Sequence, residues 1–513
     1  MIHFSPQTSF PLLLICLAMA GCAGSAAPRH RTMPAMSVVP LAVQHSAPPS
    51  QPQPPEQPLV QPAAYQPAVV EVEPLPPADA SSERQALPID LATALGLTVG
   101  QNPRIAFAQA QVAQAYAQHD AARVLWPPSI RAGMNYNKHE GRIQDVVGNT
   151  IETSRGAAFG GLGASAVGAG SPAVPGVYAL FHTTDAIFQR RITGFALDAR
   201  EAQSTVAVND QLLATALAYL ELLDAMQRQA IALETLKNGE ALAQLTAEFA
   251  RTGAGNQADA DRAATAVALV RNDATRADEA IGVATARLAQ QLSADPSVTL
   301  APQEPTVVPI ELVPQDTPVA DLVALGLANR PELSASRSLV GEAVSRLRRE
   351  EHAPWLPSVL LGASYGAFGA GTGGDITNGG DRLDFDAAAW WEVRNLGFGE
   401  RAARDNARSQ IAQARMREVE MLDTVAREVV EAHAQVEARR RTIDVAKGAI
   451  ASAEDSYRRN LERIRNAQGL PIEVLQSIQA LDQARREYLR SVVDYNQAQF
   501  RLHRALGWPI TGQ

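Results

Sequence analysis

Trp126-Pro127-Pro128-Ser129-Ile130 returns later in the chain as Trp355-Leu356-Pro357-Ser358-Val359. Each copy runs into an alternating stretch that ends in Tyr. The first carries Ile130, Ala132, Met134 and Tyr136, the second Val359, Leu361, Ala363 and Tyr365. Proline cannot continue a helix and restricts the residue before it, so these prolines end whatever helix precedes them. Alternation with period two then predicts a strand with one apolar face.

Further matches keep the same order on both sides. Upstream, Gln101-Asn102-Pro103-Arg104-Ile105 answers Asn329-Arg330-Pro331-Glu332-Leu333. Downstream, Gly194-Phe195 answers Gly397-Phe398, and Leu288 to Leu292 answers Leu502 to Leu506. The chain is thus one unit written twice, with repeats at 87–300 and 301–513. Within a repeat, Leu91 to Leu125 reads as a helix, followed by the strand, a Gly-rich loop and a second strand. The loops are Gly160 to Gly170 and Gly369 to Gly380; the second strands are expected near Val177 to Thr184 and Leu383 to Val393. Phe385, Ala387, Ala389 and Trp391 share a face of the last strand, and Trp390 and Trp391 suit a membrane interface. The longer first loop puts any cell-surface or plug role at Lys138 to Ala173.

Pro-free tracts follow, from Asp198 to Asp295 and from Gly399 to Trp508 with Pro471 as the one interruption. Tracts of this length without a charge-free membrane window predict coiled coil. Heptad steps run through Tyr219, Leu223, Met226, Ala230 and Leu233. They recur through Val474, Ile478, Leu481, Tyr488, Val492, Tyr495, Leu502 and Leu506, broken at Arg485 and Gln499. Each tract has one break, at Arg251-Thr252-Gly253-Ala254-Gly255-Asn256 and at Asn466-Ala467-Gln468-Gly469-Leu470-Pro471. Gly caps a helix and Pro opens one, so each tract is a helical hairpin. An arm of about 55–65 residues spans roughly 80–100 Å at 1.5 Å per residue.

Composition agrees. Of 513 residues 46% are apolar but only 5% aromatic, which suits thin, closely packed helices. A net charge of -9 argues against nucleic acid as a partner. Cys16 and Cys22 are the only cysteines, and both lie at the start. Residues 1–21 read as a signal peptide with an apolar run from Leu12 to Ala20. Met19-Ala20-Gly21-Cys22 resembles a bacterial lipobox, with Met19 where Leu is usual, and implies lipidation at Cys22. A plain secretory signal with an incidental Cys is the alternative. Residues 22–86, rich in Pro, Gln and Ala, read as a disordered tether.

The duplicated order of helix, strand, strand and long hairpin resembles the TolC-type outer-membrane efflux proteins over Leu87 to Ile510. The details that carry it are Asn102-Pro103, Pro357-Ser358-Val359, Gly397-Phe398-Gly399, Gly253 with Asp259, and Tyr495-Asn496 through Leu506-Gly507. The resemblance implies a fold that is mainly α with a transmembrane β part. Three chains would share a twelve-stranded barrel in the outer membrane, above an α-helical tunnel in the periplasm. It also implies a homotrimer that works with a periplasmic adaptor and an inner-membrane pump. Acidic rings at the tunnel tip fall on Asp259 and Glu473, though Gln476 is not acidic where the family has a second acid. Arg251, Arg463 and Arg465 stand before the turns as tip-closing partners. Three carboxylates around an axis favour cations; one acid in a helix's first turn is also what its dipole favours.

Catalytic constellations are missing. Nine His show no metal-ligand spacing, Arg349-Glu350-Glu351-His352 reads as a charged helix end, and Gly160-Gly161-Leu162-Gly163 lacks the strand–loop–helix setting of a phosphate loop. No enzyme and no cofactor is expected. The competing function is a periplasmic coiled-coil scaffold or adaptor, which would need no amphipathic strands.

Overall fold

A computed structural model describes residues 87–130, 133–161, 178–314, 316–372, 375–466 and 468–510. The signal, Cys22 and the tether lie outside the described residues. In the first repeat, β1 (Leu87–Ile89) precedes α1 (Leu91–Gln101), α2 (Pro103–Arg123), β2 (Ser129–Ile130), β3 (Gly133–Gln144), β4 (Thr150–Gly161), β5 (Tyr178–His182), α3 (Thr183–Thr252) and α4 (Gln257–Leu292). In the second, β6 (Leu300–Pro302) precedes α5 (Val319–Asn329), α6 (Pro331–His352), β7 (Ser358–Thr372), β8 (Asn378–Trp390), α7 (Phe398–Arg465) and α8 (Pro471–Ala505).

The duplication is plain in the helices. α3 and α7 have 70 and 68 residues, α4 and α8 have 36 and 35. The long arms, roughly 100 Å each, exceed the expected length. α3 starts at Thr183, well before the expected Asp198, so Gly194-Phe195 sits inside it. In the second repeat Gly397, at φ 91°, does stand before α7, after Asn395 and Leu396 at φ 50° and 57°. Those three left-handed residues turn the chain from sheet to helix.

The tract expected as one helix from Leu91 to Leu125 is two. Asn102 is extended, and its Oδ1 accepts from the Arg104 N–H at 2.9 Å, capping α2. Its Nδ2 donates to the Gln291 carbonyl near the end of α4 at 3.0 Å. In the second repeat Arg330 takes the same place and donates to the Arg504 and Ala505 carbonyls ending α8. Each long helix is therefore flanked by two shorter ones laid end to end, α2 with α4 and α6 with α8.

The core is a stripe along the helices. Tyr219, Leu222, Leu288, Leu292, Val492, Leu502 and Leu506 are almost fully buried, each stabilising by about 1.5–3 kcal/mol. The α8 ladder holds from Val474 to Leu506. Gln499, read as a break, is buried and accepts from the Leu312 and Val313 N–H groups. The α3 ladder fails at its end: Ala230 and Leu233 are exposed, and burial continues through Ala232, Thr235, Leu242 and Thr246. At that level α3 lies between α4 and α8 and must bury two flanks. One window of α3 has a mean hydropathy of 1.2, as a membrane helix would, but 56% of it is buried within the fold.

Candidate channel surfaces: the sheet and the hairpin tips

Strands β2, β5, β7, β4 and β3 form one antiparallel sheet with β8 on the far side of β7. β7 pairs with β4 over Tyr365–Thr372 and with β5 over Ser358–Gly362. β4 and β5 therefore lie end to end in one lane, and β2 and β3 occupy the next. Four lanes result, as expected, but their boundaries shift. The first strand-to-strand turn is 145–149, held by the Asp145 carboxylate accepting from the Val147 and Asn149 N–H groups. Gly160 and Gly161 lie in β4 instead of a loop, and 162–177 lie outside the described residues. The Lys138 to Ala173 stretch assigned to a surface loop is thus largely hairpin where described. β7 likewise runs on through Gly369 to Thr372, and β8 begins at Asn378.

Register divides the sheet into two chemistries. Leu361 opposes Ala387, Ala363 opposes Phe385, and Tyr365 opposes Leu383. Ile130 joins them across Ala179, and Met134 and Tyr136 across Gly160 and Ala158. On this face Met134 is 91% and Phe385 78% exposed, with Ile130, Tyr136, Leu361, Tyr365 and Leu383 also bare. The opposite face carries Arg155, Ser364, Arg382 and Asp384. Arg382 pairs with Asp384 at 2.7 Å and lies 5.6 Å from the centre of the Phe159 ring. Phe159 in turn covers Gly366, where any Cβ would overlap the ring. One face is built for hydrocarbon and the other for water.

At the first tip, Gly253 (φ 77°) ends α3 and the Asn256 side chain accepts from the Ala258 N–H to start α4. Asp259 lies in the first turn, 3.4 Å from Arg262. Arg251 pairs with Glu248 at 3.7 Å, not with Asp259. At the second tip Pro471 opens α8, and Glu473 meets Arg463 at 3.1 Å across the turn. Its carboxylate also accepts from the Leu470 N–H at 3.5 Å. Arg463 is thus brought to an acid, whereas Arg465 has no ion pair among the described residues. Leu242, Ile464, Val474 and Ile478 form a small core joining the two tips. Among the described residues no cluster of His, Cys, Asp and Glu could hold a metal.

Residues 322–508 match the family model described as outer membrane efflux protein. That match lies within the second repeat. A comparison with curated proteins gives no match. Among solved structures, the outer-membrane channel OprN matches with a TM-score of 0.66 at 17% identity, over 81% of this chain and 89% of that one. VceC of Vibrio cholerae gives 0.64 at 17%, over 82% and 96%. CmeC of Campylobacter jejuni gives 0.66 at 14%, over 81% and 85%. These likenesses show the fold, barrel strands above a helical tunnel. The matched model is described as outer membrane efflux protein, and the solved structures are described as outer-membrane proteins or channels.

Two charge networks were not anticipated. Arg504 reaches Asp210 and Glu332 at 2.6 Å, and Arg330 reaches Glu332 at 3.0 Å and Glu428 at 2.8 Å. Burial would raise the Glu332 carboxyl, but Arg504 and Arg330 outweigh it and hold it below its ordinary value. Beneath the sheet, Arg349 binds Asp185 at 2.7 Å, Arg394 binds Glu350 at 2.7 Å, and Arg394 also binds the buried Glu400 at 3.0 Å. The Arg349-Glu350-Glu351-His352 end is therefore a partly buried anchor of helix to sheet, not a freely solvated terminus. Arg330 was visible in sequence only as the counterpart of Asn102; spacing carried no sign of its partners.

Proposed function

We propose that three copies of the efflux protein form the exit duct of a tripartite efflux or type I secretion system. Cargo would pass from an inner-membrane pump, through a periplasmic adaptor docked on the hairpin tips, and out through the barrel without energy input at this subunit. The observation that carries this reading is the exposed apolar face on a sheet of only four lanes. Open sheet edges are not tolerated in lipid, and four lanes cannot close, so further copies must complete the wall. The long hairpins supply a wall of matching length below. A coiled-coil scaffold would have no use for such a face.

The reading extends to individual residues. Asp259 and Glu473, tripled, line the constriction at the tip, and the Arg463–Glu473 pair supports the closed turn. Cys22 carries a lipid that adds a second membrane anchor to the barrel. Planar-bilayer recording of the purified oligomer tests the duct: discrete conductance is expected, and a monomer without conductance would defeat it. Intact-mass measurement of the mature N-terminus tests the lipid, and a free Cys22 thiol would end that assignment.

A further inference from the structure

α8 and α6 share one column of the helix layer, between α3 and α7. Where α8 ends and α6 begins, a cavity of 510 Å³ opens beside the column. That volume is in the range that holds a drug-sized solute. Its apolar wall is Leu213 of α3 with Met421 and Ala432 of α7. Arg501 and Arg504 also line it, three residues apart on α8 and so on one side of that helix.

The cavity lies on the face of the layer that the connecting segments leave bare. α1, β1, the 303–313 segment and α5 pack on the other face. There Thr98 meets Thr215 at 2.8 Å, the Tyr219 hydroxyl donates to the Ile89 carbonyl at 3.2 Å, Asn496 binds the Val308 carbonyl and the Ile310 N–H, and Gly326 faces Val429. Helix residues turn by about 100° each, so Asp210 is about 180° from Tyr219, Arg501 about 140° from Asn496, and Glu431 about 160° from Val429. All three line the cavity. In a duct, the face free of connecting segments is the one that can line the passage.

Charge pairing in the wall leaves a cation over. Asp210 and Glu332 hold Arg504, Glu332 and Glu428 hold Arg330, and Glu431 holds Arg427, so every acid of the wall has an arginine. Arg501 has no ion pair among the described residues, and its Nη2 donates to the Gln497 side chain at 3.4 Å. Arg439 of α7 stands near it and also lacks an acid, donating to the Asp494 carbonyl at 2.7 Å. Burial and Arg439 press the Arg501 guanidinium below its ordinary value, against weaker support from the Asp494 charge. It stays charged all the same. The repeat shows that the position does not demand this isolation. Arg287 is the counterpart of Arg501, by the match of Leu288 to Leu292 with Leu502 to Leu506, and it pairs with Glu221. Arg504 adds an unused donor, since its buried Nη1 has no acceptor.

We propose that this cavity binds an amphiphilic organic anion from the passage, its carboxylate on Arg501 beside Arg504 and its apolar body against Leu213, Met421 and Ala432. An organic cation finds no acid there that an arginine does not already hold. The proposal rests on the duct reading above and gives it a class of solute.

Equilibrium dialysis of phenylbutyrate and of phenylbutylamine against the purified full-length protein tests it, because the two share a body and differ in the sign of the head. The acid should bind and the amine should not. Arg501→Gln should weaken binding of the acid about tenfold, the worth of one charge-assisted hydrogen bond. Arg501→Lys keeps the charge and should lose less, and Arg287→Gln should lose nothing. Equal binding of the two probes by the native protein, or binding of the acid that Arg501→Gln leaves unaltered, overturns the site. Conductance of the same preparation in planar bilayers is read separately. Selective binding of the acid without conductance would defeat the duct and leave the cavity's preference standing. Conductance without that selectivity would defeat the site and leave the duct.

Discussion

At the scale of single residues, the chain separates buried charges that hold structure from exposed charges at the hairpin tips. Glu473 and Arg463 are 35% and 51% exposed, and a pair so placed contributes less than about 1 kcal/mol. Glu473→Gln should therefore leave the proposed trimer intact. If three such carboxylates ring the tip, the same change lowers the preference for cations measured as a reversal potential in a salt gradient; an unchanged potential would show Glu473 to be only a helix-capping acid. Glu332 lies at the other extreme. It is almost buried against Arg504 and Arg330, and removing one partner of such a network leaves unpaired charge, at a cost of about 3–5 kcal/mol. Its carboxyl titrates lower in the folded chain than its ordinary value of 4.5. Its contribution is thus complete above that ordinary value and fades as pH falls through the lowered one. Glu332→Gln should lower the thermal dissociation temperature at neutral pH, with the gap to the native protein closing in strong acid. A gap that persists there would mean the loss is one of packing, not charge.

At the scale of elements, what was legible in the sequence was whatever punctuation and period can encode. Pro127-Pro128 and Pro357 did fall between helix and strand, Gly253 and Pro471 did mark hairpins, and the alternation from Val359 to Tyr365 did lie on one face. What was not legible depended on distant partners. The break at Asn102 could have been read from Pro103, which holds the residue before it extended, but the Gln291 carbonyl that its side chain meets could not. β4 and β5 count as one lane only because both lie along β7. Ala230 and Leu233 keep the heptad period yet face out, because α3 has neighbours on two sides. Asp259 and Glu473 stood out only by position in the repeat, while the Arg330 and Arg349 networks left no local signal. Close helix packing likewise shows only in three dimensions. A side chain at Gly326 of α5 would come within 2.9 Å of Val429 on α7 and 3.3 Å of the Ala505 carbonyl. Gly326→Val should destabilise by about 1–3 kcal/mol, read as an earlier thermal dissociation. An unaltered transition would mean α5 is free to move away from α7.

At the scale of the whole molecule, the two faces of the sheet make a prediction that neighbouring residues decide. Phe385 and Asp384 are adjacent in β8, so they point to opposite sides of the wall. Phe385 lies opposite Ala363 on the bare apolar face, and Asp384 opposite Ser364 beside Arg382. If the first face meets lipid, a cation there costs about 2–4 kcal/mol near the bilayer midplane, and three copies feel it at once. Phe385→Arg should then sharply reduce trimer recovered from the outer membrane. Asp384→Asn removes an ion pair from the water-facing side, where substitutions tune selectivity without opposing insertion. It should leave trimer yield near normal and shift the reversal potential. Equal yields for the two variants would mean that the faces do not differ as lipid and water do. The exposed hydrophobic side chains would then have to be covered by protein, and the argument from four open lanes to a barrel in the membrane would fall with them.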